Sequence, residues 1–130
     1  MKRQEQNEQI TFIRWCEVMG ATVPDLRRIY HIPNGGKRGK VEAAIFKAMG
    51  VRAGVPDLFL PVASGNKHGL YIEMKADKGK PTENQLDWLE YLARAGYEVA
   101  ICYDWMRAAD TTVRYLGLPA RVSPLYNGED

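Results

Sequence analysis

Long apolar runs are missing from this sequence of 130 residues. No stretch approaches the roughly 20 residues a membrane-spanning helix needs. Cysteine is scarce, with Cys16 and Cys102 alone. Both lie inside apolar stretches, without CxxC spacing and without a nearby histidine, so they read as reduced core residues and not as a zinc site. Repeats, low-complexity tracts and internal linkers are absent. The glycines at Gly35, Gly36 and Gly39 stand beside Lys37 and Arg38 but lack the GxxxxGK[ST] spacing, which excludes a nucleotide triphosphatase phosphate loop. The opening MKRQEQNEQ is polar and carries acids, so neither a signal peptide nor a transit peptide is expected, and a cytoplasmic location is the default.

What is present fits one compact α/β domain. Residues 4–19 have helical spacing, with Ile10, Ile13 and Phe12 expected toward the core, Arg14 and Glu17 outside, and Gly20 as the stop. Arg28 to Ile32 alternates as a short strand, ended by the turn Pro33-Asn34-Gly35-Gly36. Lys40 to Met49 is helical in spacing, with Val41, Ala44, Ile45 and Ala48 on one face. Asp57 to Val62 and Leu70 to Lys75 read as two strands of an antiparallel hairpin. In the second strand, Leu70, Ile72 and Met74 point one way and Tyr71, Glu73 and Lys75 the other. Thr82 is a plausible N-cap with Gln85 three residues on, as in a capping box. The helix it opens has Leu86, Leu89, Tyr91, Leu92 and Ala93 as its expected buried side. That helix crosses over to a buried strand at Tyr97 to Tyr103, making the sheet mixed. Asp104 caps a last helix to about Leu116. The domain is taken as residues 1–117, with a tail over 118–130 that is loose or docked on a partner.

Charge is unevenly spread. The net charge is only +2, yet Arg27, Arg28, Lys37, Arg38, Lys40, Lys47 and Arg52 face Glu42 alone between Arg27 and Arg52. A second basic group follows at Lys67, Lys75, Lys78 and Lys80. Such blocks suit phosphates or simply a solvated face. The expected DNA contacts in these blocks are Lys37, Arg38, Lys40, Arg52, Lys78 and Lys80.

The hairpin brings Asp57 to the end of the sheet where Glu73 and Lys75 lie two residues apart on one face. Two carboxylates and an amine then converge. Carboxylate oxygens suit Mg²⁺ or Mn²⁺. Such an ion activates water and screens a phosphate, while a lysine beside it stabilises developing charge. An isolated ExK on a strand is usually a surface ion pair; Pro56-Asp57 at this separation changes that balance.

Pro56-Asp57 followed by Glu73-Met74-Lys75 resembles the PD-(D/E)xK nuclease signature. The run Val51-Arg52-Ala53-Gly54-Val55-Pro56-Asp57-Leu58 resembles the VRR-NUC family, although Ala53 stands where the family's second arginine would be. The resemblance covers roughly Glu5 to Tyr103. The turn Ile32-Pro33-Asn34-Gly35-Gly36 resembles the family's turn beside the active site, which implies Asn34 as a contact to a DNA phosphate or to a catalytic water; as a plain turn residue Asn34 needs no function, and the two readings stand level. It implies a restriction-endonuclease-like αβββαβ core with a mixed sheet. It also implies Asp57, Glu73 and the Met74 backbone carbonyl as metal ligands. Glu8 of the first helix would be a further ligand, with Glu5 as its rival; Lys75 would act on the water and Gln85 would position it. The activity implied is a Mg²⁺- or Mn²⁺-dependent, structure-selective DNA endonuclease. Free-standing members suggest a homodimer that resolves four-way (Holliday) junctions. The alternatives are a flap or duplex nuclease of the same fold, or a non-catalytic DNA-binding module. His31 is expected to be structural and His68 exposed in the hairpin loop. Tyr91 is expected in the core, with support of the site as its alternative, and Trp15, Trp88 and Trp105 in the core or at an interface.

Overall fold

The computed structural model describes residues 1–33 and 39–128. Four helices and four strands follow one another in the order α1 (Arg3–Met19), β1 (Tyr30–His31), α2 (Lys40–Ala48), β2 (Leu58–Leu60), β3 (Leu70–Met74), α3 (Glu83–Arg94), β4 (Glu98–Cys102) and α4 (Trp105–Leu116). Short 3-10 helices lie at Pro24–Arg28 and Ala120–Val122. The strands form one sheet in the order β1-β2-β3-β4. The first two pairings are antiparallel and the third is parallel. This is the mixed α/β sheet that the hydropathy pattern and the family resemblance both imply.

Alternation along β3 builds the core. Leu70, Ile72 and Met74 are fully buried on one face, where Leu58 and Leu60 of β2 join them. Helices α1 and α4 cross that face and pack on each other, contributing Phe12, Cys16, Ala108 and Ala109. Each large apolar side chain withdrawn from water there stabilises the fold by about 1.5–3 kcal/mol. The small Ala108 and Ala109 let α4 approach closely. Helix α3 lies on the opposite face, over Val99 and Ile101 of β4. Among the described residues, no helix is long and apolar enough to cross a membrane.

Several expectations are corrected here. Ile10 is half exposed, and the buried stripe of α1 runs through Glu5, Phe12 and Cys16 instead. The first strand shrinks to Tyr30–His31 because Pro24 opens a 3-10 helix that runs to Arg28. Residues 57 and 61–62 fall outside β2. Helix α2 forms as the spacing predicts, but its apolar face is uncovered: Val41, Ile45 and Met49 are all exposed. On α3, Leu89 and Leu92 are buried, whereas Leu86 and Tyr91 are more than half exposed. Tyr91 is therefore not a core residue. Its ring packs edge-on against Trp88 on the same helix. Trp15 and Trp105 pack against the core as expected. Beyond α4, Ser123 is buried and donates from its Oγ to Asp110 (2.7 Å), which holds the segment after Pro119 against the chain's own last helix.

Candidate active site

The register of the hairpin sets the site. Leu58 pairs with Ile72, so the preceding residue, Asp57, falls opposite Glu73. Both carboxylates emerge at the same end of the sheet and on the face away from α1 and α4. They are almost completely withdrawn from water, at 4% and 2% exposure. Asp57 is fixed from two sides. Its Oδ2 accepts from the Met74 N–H at 2.7 Å. Its backbone carbonyl accepts from the Ile32 N–H (2.7 Å) and from His31 Nδ1 (2.9 Å). His31 is thus structural, as expected of a lone histidine on a strand, and it braces the loop that carries Asp57.

Gln85 approaches from the first turn of α3. Its backbone N–H donates to Thr82 Oγ1 (3.2 Å), and its Oε1 accepts from the Thr82 N–H (2.8 Å), which completes the capping box. Because the acceptor end of the amide is occupied, the donor end faces the cleft, where Nε2 donates to Glu73 Oε2 at 2.9 Å. The capping residue and the site residue are one side chain. Lys75 lies just past the end of β3, two residues after Glu73, where its N–H still pairs with the Cys102 carbonyl (3.0 Å), and continued alternation puts it on the same face. Its Nζ lies 3.9 Å from Glu73 Oε2, with the side chain only 11% exposed.

The helix α1 carboxylate in the cleft is Glu5, not Glu8. Glu5 is 7% exposed and accepts from the Ala76 N–H at 3.1 Å. It lines one cleft together with Lys2, Asp57, Glu73, Lys75 and Gln85. Glu8 points to α4, where its Oε1 accepts from the Trp105 N–H at 2.8 Å. There it satisfies an otherwise unpaired donor at the helix start and complements the helix dipole. Spacing alone does not separate the two: Glu5, Phe12 and Cys16 run i, i+7, i+11 and Glu8, Phe12 and Cys16 run i, i+4, i+8, both along one helical stripe.

Of the expected DNA contacts, Lys40 is exposed at the start of α2, and Arg52 is exposed in the loop leading to Asp57. Lys78 and Lys80 are exposed in the loop after Lys75, and Lys78 adopts a left-handed backbone, φ 62°. Asn34, Lys37 and Arg38 lie outside the described residues. Gly54 has a function that spacing did not reveal. Its φ is +90°, and a Cβ there would sit 2.7 Å from the Asn84 backbone. Only glycine lets the loop before Asp57 rest on the start of α3, which carries Gln85.

The electrostatics of the pair are strained. Burial first, and then the Asp57 charge, push the Glu73 carboxyl up to about 8, with Lys75 opposing the rise. Burial also raises Asp57, while the Met74 N–H and His31 oppose the rise. Glu73 Oε1 is buried and has no hydrogen-bond partner among the described residues. Two close carboxylates and an orphaned oxygen form a hard, anionic donor set that fits a divalent cation. Among the described residues, no three histidine, cysteine or acidic side chains are gathered tightly enough to make an all-side-chain metal cage. A cation would thus complete its shell from backbone oxygen or solvent, as Mg²⁺ commonly does.

Known proteins match this fold. The VRR-NUC domain model matches residues 3–105. A solved structure described as a VRR_NUC domain protein superposes with a TM-score of 0.74 at 29% identity, covering 91% of this chain and 92% of that one. No curated protein matches. The family match spans every element from α1 to the start of α4, the same stretch that folds into the sheet and the cleft, and so the chain belongs to the VRR-NUC family and carries a nuclease domain of the PD-(D/E)xK type.

Proposed function

We propose that this protein is a divalent-metal-dependent DNA endonuclease, selective for branched DNA and acting as a homodimer on four-way junctions. The observation that carries the metal dependence is the buried Asp57–Glu73 pair, whose Glu73 Oε1 has no hydrogen-bond partner among the described residues. Asp57, Glu73 and the Met74 carbonyl would hold the ion, with Glu5 on the helix side of the cleft. Such an ion lowers the pKa of bound water and screens charge on a phosphate. Lys75 holds its ammonium beside Glu73, where it attracts the phosphate and stabilises negative charge as the phosphodiester is attacked. Gln85 fixes the Glu73 carboxylate through Nε2 and keeps it turned to the cleft. Exposed Lys40, Arg52, Lys78 and Lys80 supply cationic surface for the DNA backbone.

In the junction and dimer readings, the two-fold symmetry of a homodimer would match the symmetry of a four-way junction. These readings are supported by uncovered apolar surface, on α2 and in the groove between α3 and the edge strand β4, lined by Leu86, Leu89, Ala93, Val99 and Ile101. The test is a cleavage panel of labelled four-way junctions, flaps and duplexes, with Mg²⁺, with Mn²⁺ and with chelator. Junction nicking that requires the metal is expected; intact junctions beside cut flaps would remove the junction assignment. Lys75→Ala should lower the cleavage rate about 10²–10³-fold and leave DNA binding within a few fold. Unchanged cleavage would show that Lys75 has been misassigned.

A further inference from the structure

The face of the sheet that carries Asp57 and Glu73 also carries a continuous row of aromatic rings. Phe59 lies two residues after Asp57 on the same strand path, and Tyr71 two residues before Glu73. Each is therefore roughly 7 Å from its carboxylate along the strand. Phe59 and Tyr71 are register partners and stack at 4.3 Å between centroids. Tyr30 of β1, the register partner of Phe59 on its other side, packs edge-on at 5.9 Å. Tyr97 meets both Phe59 and Tyr71, at 5.9 and 5.2 Å. His68 continues the row beyond Tyr97 at 5.6 Å.

Two glycines make room for it. A Cβ at Gly69 would lie 2.7 Å from the Phe59 ring, and one at Gly96 would lie 2.7 Å from the His68 ring. The row is not sealed as a core would be. Tyr30 is 51% exposed, and Phe59, Tyr71 and Tyr97 are each only partly covered. Helix α3 covers this face over β4. Three of the four strand-face rings are tyrosines, which tolerate water at one edge. Burial and the neighbouring Tyr97 and Tyr30 phenols raise the Tyr71 phenol above its ordinary range, so this phenol stays uncharged next to a polyanion.

We infer that this row is a stacking track for unpaired nucleobases, leading strand ends or opened branch points to the Asp57–Glu73 cleft. Base–aromatic stacking is tolerant of sequence and strong enough to select single-stranded segments. The row is continuous with the cleft and has basic neighbours at both ends, Lys75 at the cleft and Lys67 beside His68. That charge pattern fits a nucleic-acid strand better than the apolar face of another protein. The inference rests on the nuclease reading for its substrate class, but its test does not need cleavage.

The test is binding of the whole protein, in chelator, to two DNAs of equal length: a fully paired duplex and a duplex with a thymidine flap carrying 2-aminopurine. Wild-type protein should prefer the flap and quench the 2-aminopurine as it stacks. Tyr30→Ala with Tyr71→Leu should lose at least tenfold in flap affinity with duplex affinity unchanged. Tyr30→Phe with Tyr71→Phe should retain wild-type affinity, because the ring and not the hydroxyl does the stacking. Should the Leu variant unfold, Tyr30→Ala alone, at an exposed edge position, must still weaken flap binding selectively. Equal loss on both DNAs, no quenching, or a fall in solution mass showing that a second copy covers the row would each overturn the inference. Metal-dependent cleavage that survives such a result would leave the nuclease assignment standing.

Discussion

Glu73 is the residue on which metal, proton and fold meet. Its carboxyl is pushed up to about 8 from an ordinary 4.5, first by burial and then by Asp57. The folded state therefore holds its proton more tightly than the unfolded chain does. In the metal-free protein this group's favourable contribution is complete below about pH 4.5 and fades as pH rises through about 8. A cation competes with that proton, so its binding strengthens over the same interval. Thermal unfolding with and without Mg²⁺, compared between about pH 6 and about pH 9, should show a larger stabilisation by metal at the higher pH. A metal effect that is flat across the range would mean that Glu73 is not a ligand.

At the scale of elements, the two glutamates of α1 have different duties. Glu8 ties α1 to the start of α4 through the Trp105 N–H; Glu5 reaches the cleft and Ala76. Glu8→Ala should cost about 1 kcal/mol of stability in a denaturant titration, as loss of a helix-end acceptor does, with cleavage by the folded fraction unchanged. Glu5→Gln, nearly isosteric, should leave the fold in place and lower cleavage at least tenfold; the opposite pattern would return the site assignment to Glu8. Gly54 belongs at this scale too, since it sets the seat of the Asp57 loop on α3. Gly54→Ala meets both an unfavourable positive φ and the Asn84 backbone. A destabilisation of about 1–3 kcal/mol should come with reduced cleavage, because Gln85 and Asp57 no longer share one frame. Full activity in this variant would show that the close approach is dispensable.

The whole molecule carries a net charge of only +2, yet exposed cations flank the cleft on the loops before Asp57 and after Lys75. DNA affinity should fall steeply with salt, because phosphate neutralisation releases counterions. Replacing Lys78 and Lys80 together by alanine should flatten the log–log slope by about two. An unchanged slope would place the backbone contacts elsewhere. Light scattering should return about twice the 14.7 kDa of one chain at micromolar concentration. A monomer that still nicks junctions would separate the activity from two-fold symmetry.

Much of this fold was readable from local patterns, because those patterns are themselves local physics. Alternation in β3 assigned Glu73 and Lys75 to one face. The Thr82–Gln85 capping box, the Asp104 cap and the Asp57–Glu73 spacing across a hairpin involve only short separations along the chain. Tertiary structure decided what depends on distant partners. Glu5 and Glu8 are one turn apart on α1, and only the crossing of α4 and the closeness of Ala76 decide which enters the cleft. The apolar faces of α2 and of Leu86 and Tyr91 have the right period, but no described element of the chain comes to cover them. The sequence by itself determined that a carboxylate pair and a lysine would converge at a sheet end, because register and alternation require it. Only the tertiary structure buried that pair, left Glu73 Oε1 without a partner among the described residues and set the aromatic row beside it, because desolvation and side-by-side packing come from segments far apart in the chain.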